Sequence, residues 1–249
     1  VTPTGPKIDS DWYKLSFGEL YPVVYAHRSI ESAEPESRFA IEKLAITPHS
    51  RVLDLCCGNG RHLVHLRKHT DNIVGLDYSG DLLAIAQETV SAQLIRADMR
   101  AIPINGTMDA VVNFFTSFGY FEDEEENHAV VHDVSNALKP NGRFMIDYIN
   151  PVYARATLVP NSEREQDGYL IHETRWISES NGRLNKRTTL TTDGHIRAEL
   201  GESVKLFTRE NLTELLESEC LMVDSVFGDI DGSSFESLSP RMIIIGTKR

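Results

Sequence analysis

From residue 51 to about residue 150, short apolar runs alternate with amphipathic stretches. Val52, Leu53, Leu55 and Cys56 form a run broken by a single acid, the pattern of a parallel strand buried on both faces. Leu63, Val64 and Leu66 share one face of the helix that follows, and residues 72–76 return as a second strand. Ser79 or Asp81 can cap the next helix, which turns Leu82, Leu83, Ile85 and Ala86 inward. A third strand is predicted over 92–98, and a fourth, the most central, over 108–115 (M-D-A-V-V-N-F-F). Asp123 and Glu126 make a capping-box-like start to a helix that ends near Leu138, and residues 143–149 form the fifth strand. Strand and helix in strict alternation predict a doubly wound, mostly parallel α/β sheet.

The rhythm breaks on either side. Residues 1–10 read as a loose tail. Residues 11–28 are rich in aromatic rings, and Trp12, Phe17, Leu20 and Val24 recur at a spacing that predicts a helix or two short ones. Ser32 is placed to cap a helix reaching Leu44, with Pro35 tolerated in its first turn. Beyond the fifth strand, 169–177, 184–192 and 196–206 are strand-like, joined by Asn181-Gly182 and Asp193-Gly194. Such dipeptides are preferred two-residue hairpin turns, so an antiparallel ribbon of three or more strands is inserted here. Thr208 then caps a last helix, and 222–227 and 242–247 supply two final strands. The expected division is an N-terminal cap and core over 1–150, a small antiparallel lid over 151–206, and completion of the core over 207–249.

Composition narrows the class. A chain of 249 residues with 41% hydrophobic residues suits one large α/β domain. A formal net charge of −12, with no long basic cluster, argues against nucleic acid as a partner. No apolar run approaches the ~20 residues that span a bilayer, so no membrane partner is expected. The first ten residues lack a charged-then-apolar leader pattern, and the expected location is cytoplasmic. The three cysteines, Cys56, Cys57 and Cys220, read as reduced small side chains. No Cys/His spacing suggests a metal site.

The chemistry concentrates in residues 51–77. Gly58 and Gly60 let the backbone bend sharply and approach a ligand, since neither has a Cβ. In a strand–turn–helix unit of this kind a ligand sits beyond the strand ends, over the turn. Asp77 closes the second strand, where it can take both hydroxyls of a ribose. The dinucleotide fingerprint would have a third glycine, but Leu63 stands in its place, and an acid, Asp54, precedes Gly58 by four residues. A carboxylate there repels a pyrophosphate and attracts a cation, such as an ammonium beside a sulfonium.

At D-L-C-C-G-N-G the chain resembles the class I methyltransferases that use S-adenosylmethionine, and Asp54, Asp77 and Asp98 follow three successive strands in that family's order. The resemblance implies a seven-stranded sheet whose last strand is antiparallel. The cofactor site it carries over comprises Tyr25, Arg28, Asp54, Gly58, Asn59, Gly60, Asp77, Tyr78, Asp98, Met99 and Asn113. Within it Asp98 accepts from the adenine amine, Met99 lies along the ring, and Tyr25 and Arg28 face the methionine end. Asn113, Ser117 and Tyr120 are the acceptor-side candidates, and no general base stands out. The insertion resembles the lid of small-metabolite methyltransferases, sugar N-methyltransferases included, with His172, Arg175, Trp176 and Arg187 as possible acceptor contacts. Arg241 either neutralises a carboxylate or braces the last loop, bracing being the favoured reading. The implied activity is methyl transfer to a nitrogen or oxygen of a small molecule. Two other readings stay open. One is a nicotinamide-dependent oxidoreductase, against which stand Leu63 and Asp54. The other is a non-catalytic module that binds S-adenosylmethionine, against which stands a lid suited to an acceptor. Nothing in the sequence speaks to oligomeric state.

Overall fold

In a computed structural model, which describes residues 5–249, seven strands form one sheet and four form another. The large sheet contains β1 (Val52–Leu55), β2 (Ile73–Asp77), β3 (Gln93–Arg96), β4 (Met108–Asn113), β5 (Leu138–Ile149), β10 (Leu221–Phe227) and β11 (Arg241–Lys248). Its order is β3-β2-β1-β4-β5-β11-β10, with β4 at the centre. β1 pairs in parallel with β2 and β4, whereas β11 runs antiparallel to both β5 and β10. The expected sheet, with its reversed last strand, is the one observed.

Alternate residues of the central strands supply the two apolar faces, as a period of two requires. Leu53, Val111, Phe144 and Ile244 pack with Val130, Val131 and Val134 of α6 (Glu124–Ala137) and with Leu212, Leu215 and Leu216 of α8 (Arg209–Ser218). Val52, Val112, Met145 and Ile243 pack on the other side with Phe39 and Ala40 of α3 (Glu34–Lys43) and with Leu63 and Leu66 of α4 (Arg61–Arg67). α5 (Gly80–Thr89) is capped by Ser79, whose hydroxyl accepts from the Leu82 amide, and α8 is capped by Thr208. Among the described residues no helix is long and apolar enough to cross a membrane.

The antiparallel insertion, the expected lid, is larger than its sequence signal. β6 (Asn161–Gln166), β7 (Tyr169–Ser178), β8 (Arg183–Thr192) and β9 (His195–Lys205) form a four-stranded antiparallel sheet in chain order, preceded by α7 (Pro151–Thr157). β6 reads N-S-E-R-E-Q and has no apolar alternation to betray it, although the Asp167-Gly168 turn after it, with both φ angles positive, is the same hairpin signal used elsewhere.

Three local expectations need correction. Ser32 does not cap α3; residues Glu31–Ala33 form a 3-10 turn, and the helix starts after Ala33 with Pro35 in its first turn. Glu126 does not close a capping box on Asp123, because its carboxylate is engaged by Arg100. The tail reading fails for the described part of 1–10, since Ile8 is buried in the core beside Trp12 and Trp176, while residues 1–4 lie outside the described residues. The aromatic segment forms two short helices, α1 (Tyr13–Ser16) and α2 (Tyr21–Val24).

Candidate functional site

The glycine turn sits between β1 and α4. Gly58 (φ 55°) and Gly60 (φ 80°) both occupy the left-handed region where a Cβ is strained. They do different work. Gly58 lines a cleft, whereas at Gly60 a Cβ would stand 3.0 Å from the Ala86 Cβ, so this glycine lets α4 and α5 pack closely. The third glycine of a dinucleotide turn is not needed because the close approach is made from the opposite side. A Cβ on Gly75 of β2 would lie 2.6 Å from Leu63, and its absence makes room for that side chain.

The cleft above this turn encloses about 890 Å³, its open mouth included. Of the residues expected to bind cofactor, Arg28, Gly58, Asn59, Asp77, Tyr78, Asp98 and Met99 line it, as do the acceptor-side candidates Ser117 and Tyr120. Asp77 is buried at the tip of β2 and accepts from the Gly58 and Ser79 amides, both at 2.8 Å. These bonds orient the carboxylate and leave lone pairs on both oxygens. Asp98 is held by Arg100, whose Nε donates to Oδ1 at 3.0 Å and whose Nη2 donates to Oδ2 at 2.6 Å. Burial raises the Asp98 pKa, but these bonds outweigh it and hold the carboxyl below the ordinary range.

Asp54, Gly60, Asn113 and Tyr25 stand behind the wall rather than in it. Asp54 is 1% exposed and its Oδ2 has no hydrogen-bond partner. Burial, opposed by Arg61 and reinforced by Asp77, pushes its pKa to about 8, so at neutral pH it carries a proton instead of the expected charge. Asn113 donates to the Leu55 carbonyl at 2.9 Å, and its Oδ1 is likewise unpartnered. Unpartnered buried acceptors are uncommon in folded proteins. The Tyr25 hydroxyl points to the lid, between Glu202 and Lys186, while its ring carries the Arg28 guanidinium at 4.0 Å.

Several residues not among the expected cofactor contacts also line the cleft. Tyr13, Phe17 and Tyr21 of the N-terminal segment close one side, so its rings serve as both core and cleft wall. Cys56 also lines the cleft, its sulfur 3.6 Å from that of Met99. At the end of β4, Phe115 and Thr116 both have positive φ (60° and 59°), a strained pair held by Asp147. The Asp147 carboxylate accepts from the Phe115 amide at 3.0 Å and its carbonyl from the Thr116 amide at 2.8 Å. Around the Phe115 ring stand three guanidiniums, Arg28 at 4.5 Å, Arg61 at 5.0 Å and Arg241 at 5.1 Å.

Two of these cations are neutralised below the cleft floor. Arg61 and His62 reach Glu36 at 3.1 and 2.7 Å, and Arg241 spans Glu36 at 2.6 Å and Asp147 at 2.8 Å. Arg241 is therefore a charge partner, not only a brace. Among the described residues Arg28 has no carboxylate partner, and its Nε is buried without an acceptor. Burial lowers the His62 pKa to about 4, so the imidazole is neutral. Arg61 and His62 directly follow the glycine turn, a position that could have flagged them; nothing in the sequence flags the Phe115 cage. His172, Arg175, Trp176 and Arg187 do not line the cleft: Trp176 is buried in the core, and Arg175 is engaged by Glu173.

Comparison with known proteins places this geometry. Residues 52–142 match the family model of the methyltransferase domain. A dTDP-3-amino-3,4,6-trideoxy-α-D-glucopyranose N,N-dimethyltransferase from Streptomyces venezuelae is 32% identical over 137 residues, 54% of this chain and 58% of its own length. A dTDP-3-amino-3,6-dideoxy-α-D-glucopyranose N,N-dimethyltransferase from Streptomyces fradiae is 28% identical over 57% of this chain and 56% of its own. The chain thus spans somewhat over half the length of these curated relatives. Among solved structures, an S-adenosylmethionine-dependent methyltransferase from Clostridium acetobutylicum superposes with TM-score 0.77 at 16% identity, over 92% of this chain and 96% of its own. A sugar N-methyltransferase from Streptoalloteichus sp. superposes with TM-score 0.70 at 22% identity, over 100% and 98%. At such identities the structural likeness speaks for the fold. Residues 52–142 thus match a methyltransferase domain, and the fold of the described chain is that of the S-adenosylmethionine-dependent methyltransferase on which it superposes.

Proposed function

We propose that the protein transfers a methyl group from S-adenosylmethionine to an amine nitrogen of a small molecule, with residues 151–206 as the acceptor-side lid. The observation that carries the reading is the polarity of the cleft: oriented carboxylates at one end, an unneutralised guanidinium at the other. The residues fit the cofactor. Asp77 offers lone pairs to two ribose hydroxyls, Asp98 keeps one for an exocyclic amine, and Arg28 awaits a carboxylate. Asp54 and Asn113 stand behind the wall under the turn, where an ionised Asp54 would favour an ammonium through its field rather than by contact.

When bound, the cofactor supplies a methyl group already activated by its sulfonium. What remains for the chain is alignment and exclusion of water, which can contribute several kcal/mol without a covalent intermediate. Tyr120, its ring edge-on to Trp12 at 4.8 Å and stacked on Phe17 at 5.8 Å, narrows the acceptor side. Burial pushes the Tyr120 pKa well up, so its hydroxyl keeps its proton and does not serve as a base. Ser117 is committed to the Phe114 carbonyl at 2.8 Å, and neutral His62 to Glu36. With neither residue free to take a proton, the acceptor has to enter as the neutral amine. The amino-sugar acceptors in the relatives' names favour such a nitrogen over a hydroxyl oxygen. The test is a coupled assay for S-adenosylhomocysteine with a dTDP-3-amino sugar and its 3-hydroxy counterpart as probes. Turnover with the amine alone, rising with pH toward the amine's pKa, supports the reading; turnover with the hydroxyl sugar, or with neither, overturns it.

A further inference from the structure

Arg183 opens β8 of the lid and is 2% exposed, yet among the described residues it makes no ion pair. All of its hydrogen bonds go to neutral oxygens. Nε donates to the Ser203 hydroxyl at 2.8 Å and Nη1 to the Phe121 carbonyl at 2.8 Å. Nη2 reaches the carbonyls of Gly119 (3.2 Å), Tyr120 (2.7 Å) and Ser203 (2.7 Å). The lid side of this fork is itself ordered: the Ser203 hydroxyl donates to Asn185 Oδ1 at 2.7 Å, and Asn185 donates back to the Arg183 carbonyl at 3.1 Å. Desolvating a guanidinium without a counter-charge is costly, and a neutral side chain could hold one carbonyl for less. The planar fork holds three consecutive ones.

Those three residues carry Tyr120. Gly119 adopts φ 82°, and a Cβ there would lie 2.7 Å from the Tyr148 hydroxyl, so the loop has no slack on that side. The Lys205 amide of β9 adds a second lid donor to the Gly119 carbonyl at 2.8 Å.

We infer that Arg183, although it lies outside the cleft, is the positioning residue for Tyr120, fixing the 119–121 backbone so that the Tyr120 ring stands in the cleft wall. The inference rests on the reading of that cleft as the cofactor site. It also makes the lid and the cofactor site one mechanical unit: what shifts β8 shifts Tyr120.

A double-mutant cycle on the intact chain tests this, with S-adenosylhomocysteine as the calorimetric probe and thermal unfolding as the check on folding. Arg183→Met is expected to weaken binding about tenfold when Tyr120 is present and less than twofold in a Tyr120→Ala background. A residue that merely supports the lid would lower the unfolding temperature in both backgrounds without such coupling. Equal losses in the two backgrounds, or no loss in either, overturn the inference. If Arg183→Met does not fold, Arg183→Lys replaces it, keeping the charge but losing the fork, with the same coupling expected. A wild-type protein that does not take S-adenosylhomocysteine overturns the cofactor reading and this inference with it, whereas binding with additive losses overturns this inference alone.

Discussion

The two ends of the cleft solve opposite problems. At the β2–β3 end, Asp77 and Asp98 are carboxylates presented to the cleft, oriented by backbone amides and by Arg100. At the β4–β5 end, Arg28, Arg61 and Arg241 gather around Phe115, with Glu36 and Asp147 packed beneath. The acids at the first end have acceptor capacity left over; those at the second are consumed by the guanidiniums. A ligand with hydroxyls and an amine at one end and a carboxylate at the other is matched without any net positive field, in a chain of net charge −12. The first end makes hydrogen bonds ready for use, and the second stores ion pairs to hold a strained backbone.

Disturbing the second end should cost most. Glu36 is buried and serves Arg61, His62 and Arg241 together, so Glu36→Gln leaves cations uncompensated and is expected to lower stability by about 3 kcal/mol in urea unfolding. A change under about 0.5 kcal/mol would mean that these pairs contribute little. The same network dictates acid sensitivity. Burial brings the His62 pKa from 6.5 to about 4, so the folded state resists protonation and loses stability as pH falls between those values. For Glu36 burial acts upward, but His62 and Arg241 bring its pKa from 4.5 to about 2, and stability falls further across that range. Asp54 and Asp147, raised by burial to about 8 and about 6, act in the opposite direction down to pH 3.8 and offset His62, so unfolding midpoints should decline chiefly below about pH 4, and Glu36→Gln should flatten that decline.

At the first end the fold should survive and binding should not. On the proposed cofactor reading, Asp77→Ala would forgo two charge-assisted bonds to a ribose and is expected to cost about 3 kcal/mol of S-adenosylhomocysteine affinity, roughly a hundredfold by calorimetry. Arg28→Met takes away a single cation and should cost less, about 2 kcal/mol or thirtyfold. Equal and small losses in both variants would show that the cleft is not polarised as described.

The smallest effect concerns Asp54. Its raised pKa, about 8, means that a ligand cation must displace a proton, so affinity should improve as pH rises from 7 to 9 by about tenfold and then level off. Asp54→Asn should remove that slope. A pH-independent affinity in the wild type would leave Asp54 a neutral structural group.

How much of this was legible in the chain differs between the same two ends. Asp77, at the tip of β2, follows from period and spacing, because a buried parallel strand announces itself by its apolar run, whereas Asp98, two residues past the half-exposed edge strand β3, was placed by the family resemblance. The Arg241–Glu36–Asp147 cluster joins residues from α3, β5 and β11, and no local pattern brings such distant positions together. Positive φ at Phe115 and Thr116 is equally silent, since neither residue type advertises it. Asp54 was placed correctly at the end of β1 but with the wrong charge, for its burial depends on the surrounding packing. In the lid, Asn-Gly and Asp-Gly revealed the hairpins, while the polar β6 stayed hidden.

The most direct test of the account is calorimetric titration of the wild-type chain with S-adenosylhomocysteine and, in parallel, with NADH. One-to-one binding of the former and none of the latter is the result expected from oriented acids facing an unneutralised arginine. Binding of NADH, or a cleft that takes neither ligand, would contradict it.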